Sequence, residues 1–381
     1  MIVVVATILS YFAKALKQPL ILAYLLAGIL LGPIGLGALN LSFAGFSIGF
    51  NNFEEILVFS ELGIAFLLFG VGVETNFSKF LGFGKTILVG GIVQVALTVL
   101  FVLLASSFFG VLDFSTAILL GLVIAFSSTA IVVKILSDSH QIGTIHGKLL
   151  VGFLLVQDLL VIVALPFIKN FESLFSFQAI FPLALQALLI LGFAFVLNKF
   201  VYPRVFVSAA KSDELLFLLS VSSCFVFILV GFLLGFSIAI SAFVAGVALS
   251  TLPYNFEVFH RIKGLRDFFS TVFFVTLGMQ ISISFAQIPL LVVFILLFAV
   301  FLFKPIVFFL ITLFSGYGSR ASLSVGLALA QISEFSFIIA SQSKSVFDHY
   351  PGLYSMVILV TAVSMGVTPY VVKETPSIFN F

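Results

Sequence analysis

The sequence predicts an all-α polytopic membrane protein, and three observations support this fold class. Of the 381 residues, 62% are hydrophobic and only 8% are charged, which is not the composition of a soluble domain. The apolar residues form long runs that contain glycine, whereas the strands of a membrane β-barrel would alternate between apolar and polar residues. The basic residues fall mostly in alternate connections between these runs. Helices that cross a bilayer are therefore the predicted building unit.

Thirteen apolar segments are predicted to cross the membrane. No basic region precedes the run that starts at Met1, so this run is interpreted as a span and not as a cleaved signal peptide. Segments one, two and nine are short, which leaves a merger or a split there as an open alternative. The segments lie near residues 1–16, 19–36, 53–73, 86–109, 115–136, 147–168, 178–200, 213–234, 236–251, 267–283, 288–314, 319–342 and 351–371.

Lysine and arginine residues test this number of segments. The connections after odd-numbered segments, with the segment ends that border them and the C-terminal tail, hold fourteen basic residues, and the even-numbered connections hold only Lys169 and Lys344. Under the positive-inside rule, this pattern predicts a cell-membrane protein whose N-terminus faces out and whose C-terminus is cytoplasmic. The fourteen residues are Lys14, Lys17, Lys79, Lys85, Lys134, Lys148, Lys199, Arg204, Lys211, Arg261, Lys263, Arg266, Arg320 and Lys373.

Segment six carries a carboxylate, Asp158, close to its centre. A charge at this depth costs on the order of 2.5 kcal/mol or more, so an intramembrane carboxylate usually marks a proton or ion pathway. Gln157 precedes Asp158 and cannot titrate, which leaves Asp158 as the carboxylate of this helix core. The alternative is an aspartate that neighbouring polar groups hold for packing alone.

Three further segments have polar residues near the middle of the membrane. Segment five contains Ser127–Thr129, whose hydroxyls can bond the preceding turn or replace lost backbone bonds where a helix is broken. Segment twelve contains Glu334, and segment eleven contains Lys304 followed by a proline. Ionisable side chains at such depth usually pair or face water. Glu61 of segment three is a secondary candidate, because it lies nearer the outer half, where hydration is easier.

The order of these polar segments predicts internal symmetry. Segments five and six form one pair and segments eleven and twelve form another, and their odd offset would make the two halves enter the membrane in opposite senses. Secondary transporters build midplane sites from inverted repeats with interrupted helices. The half-helix ends would leave carbonyl and amide groups without partners, and Lys304 and Glu334 can supply charges that complement them. Pairing of Lys304 with Glu334 is a related expectation.

Six stretches of the chain form a recognisable series of motifs. They are Glu61–Glu74, Ala125–Ala130, Gln157–Leu159, Ser241–Val247, Phe273–Met279 and Ser333–Phe337. In order and spacing, this series resembles the membrane domain of Kef-type cation/proton antiporters, in the second monovalent cation:proton antiporter superfamily. The resemblance covers nearly all of the chain.

The resemblance implies a sodium/proton-exchanger fold with two broken crossing helices in segments five and twelve. It also implies a homodimer in the lipid bilayer, with each subunit a single transmembrane domain over 1–381. Core helices are expected near 53–168 and 267–371, and dimerisation helices near 1–36 and 178–251. In this family, the carboxylate at the position of Asp158 binds the cation and the proton in turn, and a core-domain lysine occupies the position of Lys304.

The sequence departs from parts of that family in three ways. The stretch Asn255–Gly264 is basic where the glutathione-gated members carry an acidic regulatory loop, which argues against glutathione gating. Many members continue into a soluble nucleotide-binding domain, whereas this chain stops at Phe381. A cytosolic regulatory domain or subunit is therefore a candidate partner. Gln157 stands where sodium-selective electrogenic relatives have a second acid, which favours potassium.

The predicted function is electroneutral exchange of one K⁺, or alternatively Na⁺, for one H⁺ by alternating access around Asp158. The only predicted metal is the transported cation, and neither a cofactor nor a nucleic-acid partner is expected. Lys304 and Glu334 are predicted to compensate charges in the core. The predicted cation- and proton-binding side chains are those of Asp158, Gln157, Ser127, Ser128 and Thr129.

A channel and an intramembrane protease are the two alternative classes of function. A channel-like K⁺ efflux pathway gated by a cytosolic regulator would use Asp158 as a selectivity group. An intramembrane protease fits poorly, because aspartyl chemistry needs paired acids and Asp158 has no aspartate partner in a neighbouring segment. A serine–histidine site fits no better, and enzymatic activity is not expected. All four histidines fall in loops or at segment ends, at His140, His146, His260 and His349.

Overall fold

The computed structural model describes residues 1–39, 41–43, 46–48, 54–75, 84–168, 177–282 and 287–378. Within these ranges the regular secondary structure is helical, apart from a short antiparallel hairpin of β1 (Leu41–Phe43) and β2 (Phe46–Ile48). The predicted all-α fold class is confirmed. Two of the basic residues between predicted segments, Lys79 and Lys169, lie outside the described residues.

The helices follow the predicted apolar segments in order. Two π-helical turns, at Leu197–Val201 and Ala299–Phe303, each join one helix to the next. The helices are α1 (Ile2–Ala15), α2 (Leu20–Leu31), α3 (Glu54–Glu74), α4 (Lys85–Phe109), α5 (Phe114–Ala125), α6 (Thr129–Asp138), α7 (Ile145–Ile168), α8 (Phe177–Val196), α9 (Tyr202–Ala209), α10 (Asp213–Leu233), α11 (Ile238–Ser250), α12 (Asn255–Met279), α13 (Leu290–Phe298), α14 (Lys304–Phe314), α15 (Ser319–Ala328), α16 (Glu334–Gln342), α17 (Lys344–Phe347) and α18 (Leu353–Ile378).

Among the described residues, eight helical stretches are long and apolar enough to cross a membrane. The shorter apolar helices α1 and α11 fall below that length. The prediction of thirteen crossings therefore stays a prediction. The eight stretches are Leu20–Ala38, Lys85–Phe109, Phe114–Ser137, Ile145–Leu165, Leu185–Ala209, Asp213–Leu233, Leu290–Phe314 and Leu353–Lys373.

One compact unit comprises Met1–Leu9, Tyr24–Lys79 and Lys169–Gln280. Within it α3 packs against α11 and α12. Glycine permits the first of these contacts, because a Cβ atom on Gly72 would lie only 2.5 Å from the carbonyl oxygen of Phe243. The rings of Phe66 and Phe269 stack between α3 and α12, with centroids 5.1 Å apart.

Helix α12 begins well before the predicted tenth segment, 267–283, so the stretch that precedes this segment is not a loop. The stretch is helical from Asn255 onward, and Glu257 places an acid in its first turn, where the helix dipole favours negative charge. The basic side chains of this stretch are partly paired within the same unit. Arg261 forms an ion pair with Asp213, and Arg266 lies 3.8 Å from a carboxylate oxygen of Glu74.

The second compact unit comprises Ser10–Ala23, Phe80–Ile168 and Ile281–Phe381. Helix α4 packs against α5, α7 and α14, and α14 packs against α15. A buried cluster includes Phe153, Phe308 and Leu329, and the rings of the first two meet edge to face at 5.2 Å. This unit contains both interrupted helices. Which helices form a dimerisation surface stays a prediction.

Candidate functional site

Two helices of the second unit are interrupted near their middle, as the family resemblance implies. Helix α5 ends at Ala125 and α6 begins at Thr129, with an extended backbone at Phe126 and Ser128. Helix α15 ends at Ala328 and α16 begins at Glu334. Each half-helix that follows a break is capped by a serine. Ser128 accepts from the amide of Ile131 at 3.5 Å, and Ser333 accepts from the amide of Phe335 at 3.1 Å.

The ammonium group of Lys304 lies between the carbonyl ends of both breaks. Its Nζ donates to the backbone oxygens of Ile124 at 3.0 Å, Phe126 at 2.8 Å and Gln331 at 2.6 Å. The last carbonyls of a helix have no intrahelical partner and carry the negative end of its dipole, so a buried cation satisfies both needs. All three N–H groups of the ammonium are thus used by carbonyls. The direct ion pair with Glu334 considered from the sequence does not form, because these carbonyls occupy every donor.

Glu334 lies at the amide end of the second break, in the first turn of α16. Its Oε2 accepts a hydrogen bond from the hydroxyl of Ser128 at 2.5 Å, and Ser128 is the N-cap of α6. A carboxylate near two helix N-termini opposes their positive dipole ends. Lys304 thus lies at the carbonyl ends of the breaks and Glu334 at the amide ends, and compensation of core charge by these two side chains stays a prediction.

Replacing Glu334 with glutamine should lower the free energy of unfolding by about 1 kcal/mol, measured by thermal unfolding in detergent. Glutamine can still accept from Ser128, so the change removes the charge and keeps the hydrogen bond. The matched control is Glu214→Gln, an exposed acid in the first turn of α10, where water screens the dipole and the loss should be smaller. Equal losses in the two variants would contradict the charge argument.

Asp158 lies on α7 beside the first residue of α6. The hydroxyl of Thr129 donates to its Oδ2 at 2.9 Å. Both side chains are partly exposed, and Ala130, the next residue along α6, is exposed. The carboxylate is therefore neither sealed inside the protein nor without polar neighbours. Carboxylate and hydroxyl oxygens are suitable ligands for an alkali cation, so these two side chains are the candidates to hold it.

Gln157 precedes Asp158 but is fully buried and turned toward backbone groups. Its Oε1 accepts from the amide of Ser127 at 3.0 Å, and its Nε2 donates to the carbonyl of Ala125 at 3.0 Å. The same Nε2 donates to Oε1 of Gln94 on α4 at 2.6 Å. Gln94 was missed by sequence reasoning. The available signal was a glutamine inside the apolar run 86–109.

The two breaks are also joined to each other. The hydroxyl of Ser127 donates to the carbonyl of Leu329 at 3.1 Å, and Nε2 of Gln331 donates to the carbonyl of Ser128 at 3.2 Å. The amide of Ile332 donates to the hydroxyl of a serine on α18, Ser364, at 3.0 Å. In the same way, the side-chain oxygen of Gln157 on α7 accepts from a backbone amide of the first break. This correspondence is what inverted repeats predict.

Of the residues predicted for the site, one lies elsewhere. Glu61 is on α3, in the first compact unit, and its side chain is exposed. The others belong to the second unit and bond to one of the two breaks. They are Ser127, Ser128, Thr129, Gln157, Asp158, Lys304 and Glu334.

Comparison with known families agrees with this architecture. A family model described as sodium/hydrogen exchanger, transmembrane, matches residues 2–375. The chain belongs to the sodium/hydrogen exchanger family. This is a family of multi-pass membrane transporters and not one of catalytic enzymes. The resemblance to cation/proton antiporters drawn from the sequence motifs is thereby confirmed.

Individual relatives of this exchanger-family chain carry two kinds of name. K(+) efflux antiporter 5 of Arabidopsis thaliana is 27% identical over 391 residues, which cover 100% of this chain and 66% of that protein. The Na(+)/H(+) antiporter of Enterococcus hirae is 29% identical over 383 residues, covering 98% and 96%. The chain spans only 60% to 66% of the length of the plant antiporters that it matches.

A solved structure shares the fold of this family member. The sodium proton antiporter MjNhaP1 from Methanocaldococcus jannaschii matches with a TM-score of 0.64 at 16% identity. The match covers 98% of this chain and 94% of that one. The sodium/proton-exchanger fold expected from the sequence is therefore confirmed.

Proposed function

We propose that this chain is a secondary active antiporter that exchanges K⁺ or Na⁺ for H⁺ around Asp158. The observation that carries the proposal is the partly exposed Asp158 carboxylate, held by the Thr129 hydroxyl at the start of a broken helix. Membership of the exchanger family and the names of its relatives support this reaction class.

The mechanism follows from the cost of moving charge through an apolar barrier. Asp158 carries one negative charge, which either a proton or a dehydrated alkali cation neutralises. Only the neutral, loaded site crosses between the two sides, so an empty carboxylate does not return alone. One carboxylate then couples one cation to one proton, which makes the exchange electroneutral. The uncharged Gln157 in place of a second acid favours K⁺ over Na⁺.

The same proposal assigns a membrane orientation and partners. The chain lies in the cell membrane with its N-terminus outside and its C-terminus in the cytoplasm, as the distribution of basic residues predicts. It forms a homodimer, and a cytosolic domain or subunit regulates it. The ions that it carries are K⁺ or Na⁺ and H⁺.

The reaction can be tested with the purified chain in liposomes that enclose a pH-sensitive dye. After acid loading, added K⁺ or Na⁺ should dissipate the proton gradient, and K⁺ should act at lower concentration. An imposed membrane potential should leave the rate unchanged, because electroneutral exchange moves no net charge. Cation flux without proton movement would instead identify the channel-like pathway, and a voltage-dependent rate would contradict one-for-one exchange.

A further inference from the structure

We infer that Gln94 is a positioning residue for the cation site, because its side chain orients Gln157 and thereby sets the geometry of Asp158 and Thr129. This inference rests on the proposed function, since the site that it concerns is the cation site of the exchanger. Gln94 lies on α4, outside the two broken helices and outside α7. Its side chain is fully buried.

The carboxamide of Gln94 has only one orientation that satisfies its neighbours. Its Nε2 donates to the hydroxyl oxygen of Thr98 at 3.0 Å and to the carbonyl of Ala125 at 3.1 Å. The hydroxyl proton of Thr98 is already used on the backbone oxygen of Gln94, at 2.9 Å. An inverted carboxamide would place its oxygen against the Ala125 oxygen, and both atoms would be acceptors. The oxygen of Gln94 must therefore face Gln157.

That orientation is passed on to the next glutamine. Because Oε1 of Gln94 is an acceptor, the atom of Gln157 that faces it at 2.6 Å must be the amide nitrogen. The oxygen of Gln157 is then left to accept from the amide of Ser127 at 3.0 Å. Both N–H groups of Gln157 are used, on Gln94 and on Ala125. Gln157 therefore holds the break and presents no N–H group to the cation.

The consequence reaches the site through short covalent paths. Asp158 follows Gln157 directly on α7, and Thr129 lies two residues after Ser127 at the start of α6. The Gln94–Gln157 pair thus holds the backbone next to Asp158 and the backbone just before Thr129, the two residues that form the 2.9 Å contact. If the pair is lost, the buried carbonyl of Ala125 and the amide of Ser127 no longer hold the break in one conformation. The carboxylate and hydroxyl oxygens then become less well placed for a dehydrated cation.

The test is Gln94→Met in the liposome assay, which keeps side-chain length and removes the hydrogen bonds. The concentration of K⁺ that gives half-maximal exchange should rise at least tenfold, while the maximal rate stays within threefold. The maximal rate is retained because the titrating carboxylate is intact. The matched control is Thr312→Val on α14, a fully buried polar residue of the same unit whose hydroxyl, within the described part of the chain, bonds to its own helix alone. In this control, the concentration of K⁺ that gives half-maximal exchange should stay within twofold of the wild-type value.

A double-mutant cycle separates positioning from general damage. Gln157→Met should raise the half-maximal concentration by a similar factor, and the Gln94→Met, Gln157→Met double variant should be no worse than the poorer single variant, because both changes break the same pair. Multiplied losses in the double variant would overturn the inference. So would a Gln94→Met protein that behaves like Thr312→Val. If Gln94→Met does not fold, Gln94→Asn serves instead, and a wild-type half-maximal concentration in that variant would overturn the inference equally.

A binding measurement distinguishes failure of this inference from failure of the proposed exchange. Added K⁺ or Na⁺ should raise the thermal midpoint of the wild-type chain, because a ligand that binds the folded state stabilises it. Gln94→Met should need at least ten times more cation for the same rise. If the wild type binds cations without exchanging them, and Gln94→Met still needs ten times more cation, the proposed function fails and the positioning role stands. If both proteins respond at the same concentration, the positioning role fails.

Discussion

Substituting Asp158 with asparagine should abolish cation-dependent proton flux, with a loss of at least about a hundredfold, or roughly 2.7 kcal/mol in the barrier. Asparagine has nearly the same shape, and its oxygen can still accept from the hydroxyl of Thr129. What it lacks is the charge that a proton or an alkali cation must neutralise. The variant should therefore remain folded, with a thermal midpoint close to that of wild type, and should fail only in exchange.

Two carboxylate variants give this experiment its controls. Asp348→Asn removes an exposed carboxylate from the same compact unit and should exchange normally. Glu61→Gln removes the secondary candidate on α3 and decides between the two acids. Proton flux that persists in Asp158→Asn and disappears in Glu61→Gln would move the site away from the broken helices. Loss of folding in Asp158→Asn would indicate that the aspartate serves packing, which was the alternative considered from the sequence.

Replacing Lys304 with methionine should lower the free energy of unfolding by about 3 kcal/mol or more. Methionine fills similar space but donates nothing, so the carbonyls of Ile124, Phe126 and Gln331 would lose a shared donor inside the protein. Each buried acceptor left without a partner costs about 1–3 kcal/mol. The variant also avoids the free-energy cost of burying a charged ammonium, which offsets part of this loss. The interactions lost with three carbonyls and two helix dipoles are larger than that gain. Thermal and denaturant unfolding in detergent measure the effect.

The control for this variant is Lys148→Met, which removes an exposed lysine from α7 in the same unit. A solvated lysine contributes little to stability, so its loss should change the unfolding free energy by less than about 0.5 kcal/mol. Exchange by Lys304→Met should fall together with stability if the lysine holds the two breaks in register. A variant with wild-type stability would contradict the structural role. Wild-type stability with a shifted pH profile would assign Lys304 to charge compensation alone.

Much of the architecture could be predicted because apolar runs, and the ionisable residues inside them, can be identified along the sequence alone. Asp158, Lys304 and Glu334 stand out as ionisable residues in apolar runs, where charge is expensive and therefore informative. The hydroxyls of Ser127–Thr129 are compatible with a broken helix or with bonds to the preceding turn, and the family resemblance favoured the break. The boundary of α12 was harder, because its charged first half resembles a solvated loop in composition although it continues a helix.

Gln157 shows where inference from the sequence reached its limit. Its place beside Asp158 suggested a cation ligand, yet its carboxamide is used by Gln94, Ala125 and Ser127. Sequence adjacency on a helix does not settle this question, because neighbouring side chains point about 100° apart around the axis. Lys304 and Glu334 likewise do not pair with each other. Lys304 bonds to carbonyls at the ends of half-helices, and Glu334 bonds to a serine at the start of one.

The sequence by itself determined the helical membrane class, the exchanger family and the positions of ionisable residues within apolar runs, because each depends on composition and order along the chain. Only the tertiary structure decided which group each charge contacts. Ser128 and Glu334 are 206 residues apart in the chain, yet the hydroxyl oxygen of Ser128 lies 2.5 Å from Oε2 of Glu334. The physical reason is that a hydrogen bond depends on distance and direction, and chain folding sets both. The roles of Gln94 and Gln157 followed from those directions.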